Sequence, residues 1–372
     1  MLQSFVIYLL LTVVMMYLSY IGRAKKQWKY MVYAMLLYAV VFGMRYGVGT
    51  DHLTYLFNYL AYSTTTGHFG VSQAFEPGFS LFTEALAMCN AHYTIYFGII
   101  AFVQLFFTLL LFKNDHKLYP YLIFTFMISA MWLTYSNGLR QILALNFWIW
   151  SIKFIAERKV WKFYLTIALA VSMHSSAIML IIFYPIFFKK NEWFTNRLVE
   201  FGLLAFSLVL MKIDIVQTIM QNVDTVMQMS RYDSYTQEDM ANVMHKEVTI
   251  GAGFLITLAL TVLLIFYSNK TKEFAKSGYY NIIYDLFIIG VTLKYFLLNS
   301  MVFSRINYYF INLLFIVAAY TLRYAHQHNK LLFYSIVGLI VLTFIAVVTA
   351  GDDNTATFIF FWQDDLHILK RT

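Results

Sequence analysis

Three arginines stand at the ends of apolar runs: Arg45 in GMRYGVGTDHLTYLF, Arg140 in TYSNGLRQILALNFW and Arg305 in MVFSRINYYFINLLF. A guanidinium is costly at a membrane edge, keeps its charge, and offers a planar fork that matches phosphate oxygens two at a time. The chemistry these residues support is capture of an anion such as a diphosphate, with snorkelling to lipid headgroups as the competing reading. Arg140 falls in the first turn of its predicted helix, where free backbone N–H groups add a second anion-favouring term. Gln141 beside it can donate to the same group. Lys294, inside a later apolar run, is either a fourth anion contact or a snorkelling residue.

Proton acceptors lie in the same parts of the chain. In RYGVGTDHLTYLF, glycines at 47 and 49 permit a tight turn that returns Asp51 toward Arg45, and Asp51, Tyr55 and Tyr59 share one face of the helix that follows. Asp51 can take a proton from a hydroxyl, cap that helix, or pair with Arg45. Glu76 precedes Pro77, which makes it an extended or turn residue, either a substrate contact or a solvated acid. His174, in the sequence MHSS between two short apolar runs, is a second acid–base candidate or a satisfied core histidine. There is no HExxH and no pair of histidines at helical spacing, and Cys89 is the only cysteine, so no metal site is expected.

These residues need elements to hold them. Of 372 residues, 60% are hydrophobic and 12% charged, where an ordinary soluble domain has about a quarter charged. At roughly 20 apolar residues per span, the chain reads as an all-α polytopic membrane protein of about 12 transmembrane helices (between about 10 and 14). The apolar runs lie at 4 to 21, 30 to 44, 93 to 112, 118 to 134, 140 to 156, 161 to 173, 176 to 188, 198 to 213, 249 to 268, 279 to 299, 304 to 322 and 331 to 350. The first has no basic leader and no small-residue cleavage site and is read as a retained span.

Charge orients the helices. Arg23, Lys25, Lys26 and Lys29 follow the first run, and alternate loops after it carry Lys113 and Lys117, Arg158 and Lys159, Lys189 and Lys190, Lys270 and Lys272, and Arg323. The other loops hold most of the acids. By the positive-inside rule the basic loops face the cytoplasm, and the net charge of +8 marks topology rather than nucleic-acid binding. The whole chain, 1–372, is expected to form a single membrane domain. Two outer segments exceed a simple turn: 45–92, which holds Asp51 and Glu76, and 214–248, expected to be helical. The second carries Arg231, Tyr232, Asp233 and Tyr235, whose rings and charges suit a carbohydrate chain or a helix lying on the membrane. The runs 161 to 173 and 176 to 188 are short, and a break is expected at His174.

Phosphate loops, dinucleotide fingerprints and a GxSxG elbow are absent, so an ATP-driven pump or a transferase using cytosolic nucleotide sugars is excluded as a reading. The series RYGVGTDHLTY, EPGF, LRQILAL, MHSSA and SRINYYF, in that order and on consistently oriented spans, resembles the EpsG-type exopolysaccharide polymerases, which are related to the Wzy polymerases of O-antigen and capsule. It covers about 30 to 320. One departure is His52, where tyrosine commonly follows the family's aspartate.

The resemblance implies a GT-C-like membrane fold with periplasmic helical loops, set in a bacterial inner membrane with the active site facing the periplasm. It implies a glycosyltransferase that joins oligosaccharide repeat units carried on undecaprenyl diphosphate, for lipopolysaccharide O-antigen, capsule or exopolysaccharide, with no cofactor. Asp51, His174 and Arg140 are then the catalytic candidates, and Arg45, Arg305, Gln141, Glu76, Tyr55, Arg231 and Tyr232 the substrate contacts. Membrane lipids and a chain-length regulator are the implied partners, and no nucleic acid is expected. A flippase for the same lipid-linked units, a membrane O-acyltransferase and an O-antigen ligase are the alternatives. A flippase should show internal repetition, which the sequence lacks.

Overall fold

Helices α1 (Leu2–Lys25) and α2 (Lys29–Gly43) form an antiparallel pair, and a short ribbon follows α2. There β1 (Arg45–Tyr46) pairs antiparallel with β2 (Ile359–Phe360), Arg45 opposite Phe360. Tyr8 donates to Ala356 O at 3.1 Å, and Phe358 N–H donates to Ser4 Oγ at 2.9 Å, so residues 356–358 pack against the start of α1. The computed structural model describes residues 2–63, 75–190, 192–211, 250–298, 301–349 and 356–363. The outer segment 214–248, with Arg231 and Tyr232, lies outside the described residues.

The chain forms two compact units, 1–189 with 340–372 and 190–339. In the first, α3 (His52–Ser63) and α4 (Pro77–Met88) occupy the outer segment, followed by α5 (Tyr93–Leu110), α6 (Tyr119–Ile128), α7 (Met131–Asn137), α8 (Leu139–Ala156), α9 (Val160–Met173) and α10 (Phe183–Lys189). Apolar side chains surround α8 on nearly all sides, which is why its sequence shows little amphipathic pattern. α5 and α9 pack on it, while α2 packs on α5 and α4 on α9. Inside, Asn146 Oδ1 accepts from Thr108 Oγ1 and from Tyr135 OH, tying α5, α7 and α8 together. Tyr8 stacks on Trp132 with centroids 3.8 Å apart.

One expected helix is broken, and the break expected at His174 is found. The run 118 to 134 turns by 66° between α6 and α7, where Ala130 adopts φ 58°. The carbonyl of Met127, freed by the turn, accepts from Trp132 Nε1 at 3.0 Å, so the break leaves it satisfied. The run 161 to 188 breaks at His174, which is extended (φ −155°, ψ 119°), and continues as a 3-10 turn over Ser175–Ile182 into α10.

The second unit contains α11 (Arg197–Leu210), α12 (Ala252–Phe266), α13 (Ser268–Ala275), α14 (Gly278–Phe296), α15 (Met301–Ile306), α16 (Tyr308–Ile311) and α17 (Leu314–His328). Here α14 is central and packs on α11, α16 and α17. Asn307, at an interruption in the run 304 to 322, donates from Nδ2 to Gly290 O at 3.0 Å and fixes that run to α14. The last helix, α18 (Lys330–Thr349), belongs to the first unit from Ile340.

Among the described residues, four helical stretches are long and apolar enough to cross a bilayer, or six if each bent pair is one span. Three shorter apolar helices accompany them. The chain is thus all-α and multi-pass in character. Several of the twelve expected runs form helices of 10–17 residues or bent pairs rather than single long helices.

Candidate functional site

One end of the first unit gathers five of the residues named from sequence. Arg140, second residue of α8, donates from Nη1 to Glu76 Oε2 at 2.5 Å. Glu76 is extended (ψ 148°) because Pro77 begins α4 directly after it. Its other oxygen, Oε1, accepts from Ser175 N–H at 3.1 Å and Ser175 Oγ at 3.2 Å. The carboxylate is therefore held by a guanidinium on α8 and by the turn that follows His174. Burial pushes the Glu76 carboxyl upward, but the Ser175 N–H, the Arg140 charge, its own backbone N–H and the nearby His174 outweigh that and hold it below the ordinary glutamate value.

Gly78 explains how α4 comes so close. A Cβ at this position would lie 2.7 Å from Ser172 Cβ and 2.9 Å from Ser172 O, so only glycine lets the start of α4 lie directly on the end of α9. The sequence reading had Glu76 as an outer turn residue; the structure keeps the turn and buries the residue to 7% exposure.

The Arg140 guanidinium lies 4.3 Å from the centroid of Phe75, a cation–π contact. Its Nε is buried without a hydrogen-bond partner, and the side chain keeps about a quarter of its exposure. Tyr55 lies close enough to Arg140 for the guanidinium charge to act on its phenol, and the Tyr55 ring packs against Phe75 and Phe79. Asp51 lies close enough to Tyr55 for its charge to act on the phenol, whose ionisation burial already opposes. Asp51 directly precedes α3 and its carbonyl accepts from Tyr55 N–H at 3.2 Å. His174 Nδ1 is 2.7 Å from Ser176 Oγ.

The remaining sequence candidates sit elsewhere. Arg45 is 2% exposed, donates to Ser136 O at 2.9 Å, and lies over the rings of Phe42 and Phe97. Its guanidinium is turned into the protein and clasps the turn that leads to Asp51; no ion pair joins Arg45 to Asp51 among the described residues. Gln141 is buried on α8. Tyr59 donates to Ala91 O at 2.6 Å and stacks on Tyr96, which commits it to packing. Arg305 is exposed on α15 of the second unit.

Sequence reasoning missed Ser175 and Asn137, whose roles depend on contacts with residues 99 and 86 positions away. It also missed a polar cluster in the second unit. Lys272 Nζ lies 2.9 Å from Glu192 Oε1 and 3.9 Å from Asp285 Oδ1. Asp285 in turn accepts from the backbone N–H groups of Trp193 and Phe194, which anchors the connection into α11. Lys272 reads in sequence as an inner-loop charge, and only Asp285, an acid within an apolar run, was a signal.

What the first unit builds is a carboxylate-sized anion position made of Arg140 and the Ser175 turn, with a tyrosine and a second carboxylate beside it. Comparison with known families matches the EpsG family over residues 28–361. The chain belongs to the EpsG family. No curated protein and no solved structure matches it. Membership in EpsG brings a polysaccharide polymerase-like role in exopolysaccharide synthesis, with glycosyltransferase-like polymerase activity. The apolar helices are those of a multi-pass membrane protein. The EpsG match contains every residue of the outer cluster, from Asp51 to Ser176.

Proposed function

We propose that this protein polymerises oligosaccharide repeat units carried on undecaprenyl diphosphate, with Arg140 at the diphosphate. The observation that carries this is the pairing of Arg140 with Glu76: a partly exposed guanidinium on a rigid, buried helix already holds an anionic group in the place where a phosphate oxygen would bind. Glu76 occupies that position in the folded protein, and Gln141, the next residue on α8, serves as a further substrate contact.

In the reaction, an acceptor hydroxyl gives its proton to Asp51, and the oxygen attacks the anomeric carbon of the donor chain. The bond from that carbon to the diphosphate breaks, and undecaprenyl diphosphate leaves with the electron pair. The Arg140 charge stabilises the oxygen on which negative charge develops, the kind of preorganised electrostatic term that dominates many enzymes. Tyr55, close to both Arg140 and Asp51, lies between the two groups. His174 is the second candidate for the proton, since it adjoins the Ser175 turn. The site faces the periplasmic side of the inner membrane, as the basic loops orient the chain.

The test is Arg140→Ala in a producing cell. The variant should accumulate in the membrane while the surface glycan stops at one repeat unit. Unchanged long-chain glycan would exclude Arg140 from the chemistry, and loss of lipid-linked units from the outer leaflet would point to transport instead.

A further inference from the structure

We propose that Asn137 is a positioning residue of this site, one that sets Asp51 against Arg140 without touching substrate. The proposal rests on the reading of Asp51 and Arg140 given above. Asn137 is the last residue of α7, and Gly138 (φ −80°, ψ 62°) separates it from α8, on which Arg140 is the second residue. Its carboxamide oxygen accepts from Asp51 N–H at 2.9 Å and from Thr50 Oγ1 at 3.0 Å. A backbone N–H can only donate, so the oxygen and not the NH2 must face it.

The rest of the turn is seated on the same helix end. Arg45 Nη2 donates to the carbonyl of Ser136, one of the carbonyls a helix leaves free at its last turn. Gly49 has φ 95°, a left-handed conformation that favours glycine, and a Cβ there would lie 3.2 Å from Ser136 O and 3.3 Å from Asn137 Oδ1, so the chain at 49 packs closely on the end of α7. Three points therefore attach residues 45–51 to residues 136 and 137. Of these, only the Asn137 side chain reaches the backbone of Asp51 itself.

Because α8 starts one residue after Gly138 and is locked by the Asn146 network, Asn137 connects the proton acceptor to the part of the protein that carries Arg140. Without its two hydrogen bonds the turn would keep the Arg45 clasp but lose its register at Asp51. A shift of about 1 Å in a reacting group costs on the order of a hundredfold in rate.

The experiment compares full-length wild-type protein with Asn137→Ala and Asn137→Asp, and runs Asp51→Asn and Arg140→Ala beside them. An aspartate has the shape of asparagine and presents an oxygen to both donors, with Arg45 close by to balance its charge. Three quantities are read: deuterium exchange at the Asp51 amide, the rate of glycan elongation, and binding of inorganic pyrophosphate to the purified protein as the anion probe. Asn137→Ala should expose the Asp51 amide and slow elongation by about ten- to a hundredfold, with pyrophosphate affinity unchanged because Arg140 is undisturbed. Asn137→Asp should restore both amide protection and elongation.

Should Asn137→Ala fail to accumulate, Thr50→Val removes one of the two donors and leaves the helix end intact; it should slow elongation in the same direction. Wild-type elongation in Asn137→Ala, with Asp51→Asn and Arg140→Ala inactive, overturns this proposal alone. So does an Asn137→Asp protein that regains amide protection but stays as slow as Asn137→Ala. Wild-type polymer from Arg140→Ala overturns the functional reading beneath it.

Discussion

Arg140 and Glu76, 64 residues apart in the chain, meet through a 2.5 Å contact between Nη1 and Oε2 in the first unit. The pair joins α8, the most enclosed helix of that unit, to the first residue before α4. It makes the long outer segment part of the site rather than a connection over it.

Glu76→Gln keeps the shape of the side chain and its acceptor for Ser175 but removes the counter-ion of Arg140. With Glu76 nearly buried and Arg140 about a quarter exposed, the expected loss is about 1.5–3 kcal/mol, the range for hydrogen bonds to charged groups. Thermal unfolding of the purified protein should show a lower midpoint. An unchanged midpoint would mean that the ion pair adds nothing to the folded state.

The same carboxylate predicts a pH dependence. Its folded-state pKa lies below the ordinary 4.5, so the folded protein binds the proton less readily than the unfolded chain does. The contribution is full above pH 4.5 and is lost as pH falls through the lower folded value. Hydrogen exchange around residues 75–80 should accelerate in that acid range for the wild type, and Glu76→Gln should remove the dependence.

His52 gives a second acid response at higher pH. The ring is fully buried, stacks on Phe97 with centroids 4.4 Å apart, and has no hydrogen-bond partner at either nitrogen. Burial first, and the Arg45 charge second, hold its pKa well below 6.5. The unfolded chain takes a proton that the folded one refuses, so stability is full above pH 6.5 and declines below it. His52→Phe retains the stack and removes two unsatisfied nitrogens. It should raise stability by about 1–3 kcal/mol and flatten the decline between pH 6.5 and 5, read by thermal unfolding across that range.

Gly78→Ala tests the approach of α4 to α9. The added methyl meets Ser172 at side chain and backbone alike, and an overpacked contact of this kind costs about 1–3 kcal/mol. Because Glu76 sits two residues earlier, the variant should also weaken the hold on Arg140 and shorten the surface glycan. The paired variant Gly78→Ala with Ser172→Gly should recover part of both; no recovery would place the effect elsewhere.

Much of this site could be named from sequence and little of it could be assembled. Arg140 stands out because a guanidinium beginning an apolar run has no topological excuse, and Asp51 because glycines at 47 and 49 mark a turn. The breaks at His174 and at Pro77 were also legible, since short apolar runs and an X-Pro step have local causes. What periodicity cannot carry is which distant segments touch. The Ser175 turn receives Glu76 only because Gly78 lets two helices meet, and Arg45 turns inward because an aromatic pair and the end of α7 enclose it. The β1–β2 ribbon escaped notice for the same reason: each strand has two residues, too few for any alternation. In the second unit, Lys272 looked like every other inner-loop base until Asp285 and Glu192 were seen beside it.

Reconstitution tests the central claim most directly. Purified protein in lipid, incubated with lipid-linked repeat units and no other protein, should convert them to a ladder of products on a gel, and Arg140→Ala should yield none. A competent substrate that the wild-type protein leaves as single units, or a ladder that Arg140→Ala makes as well as the wild type, would contradict the account.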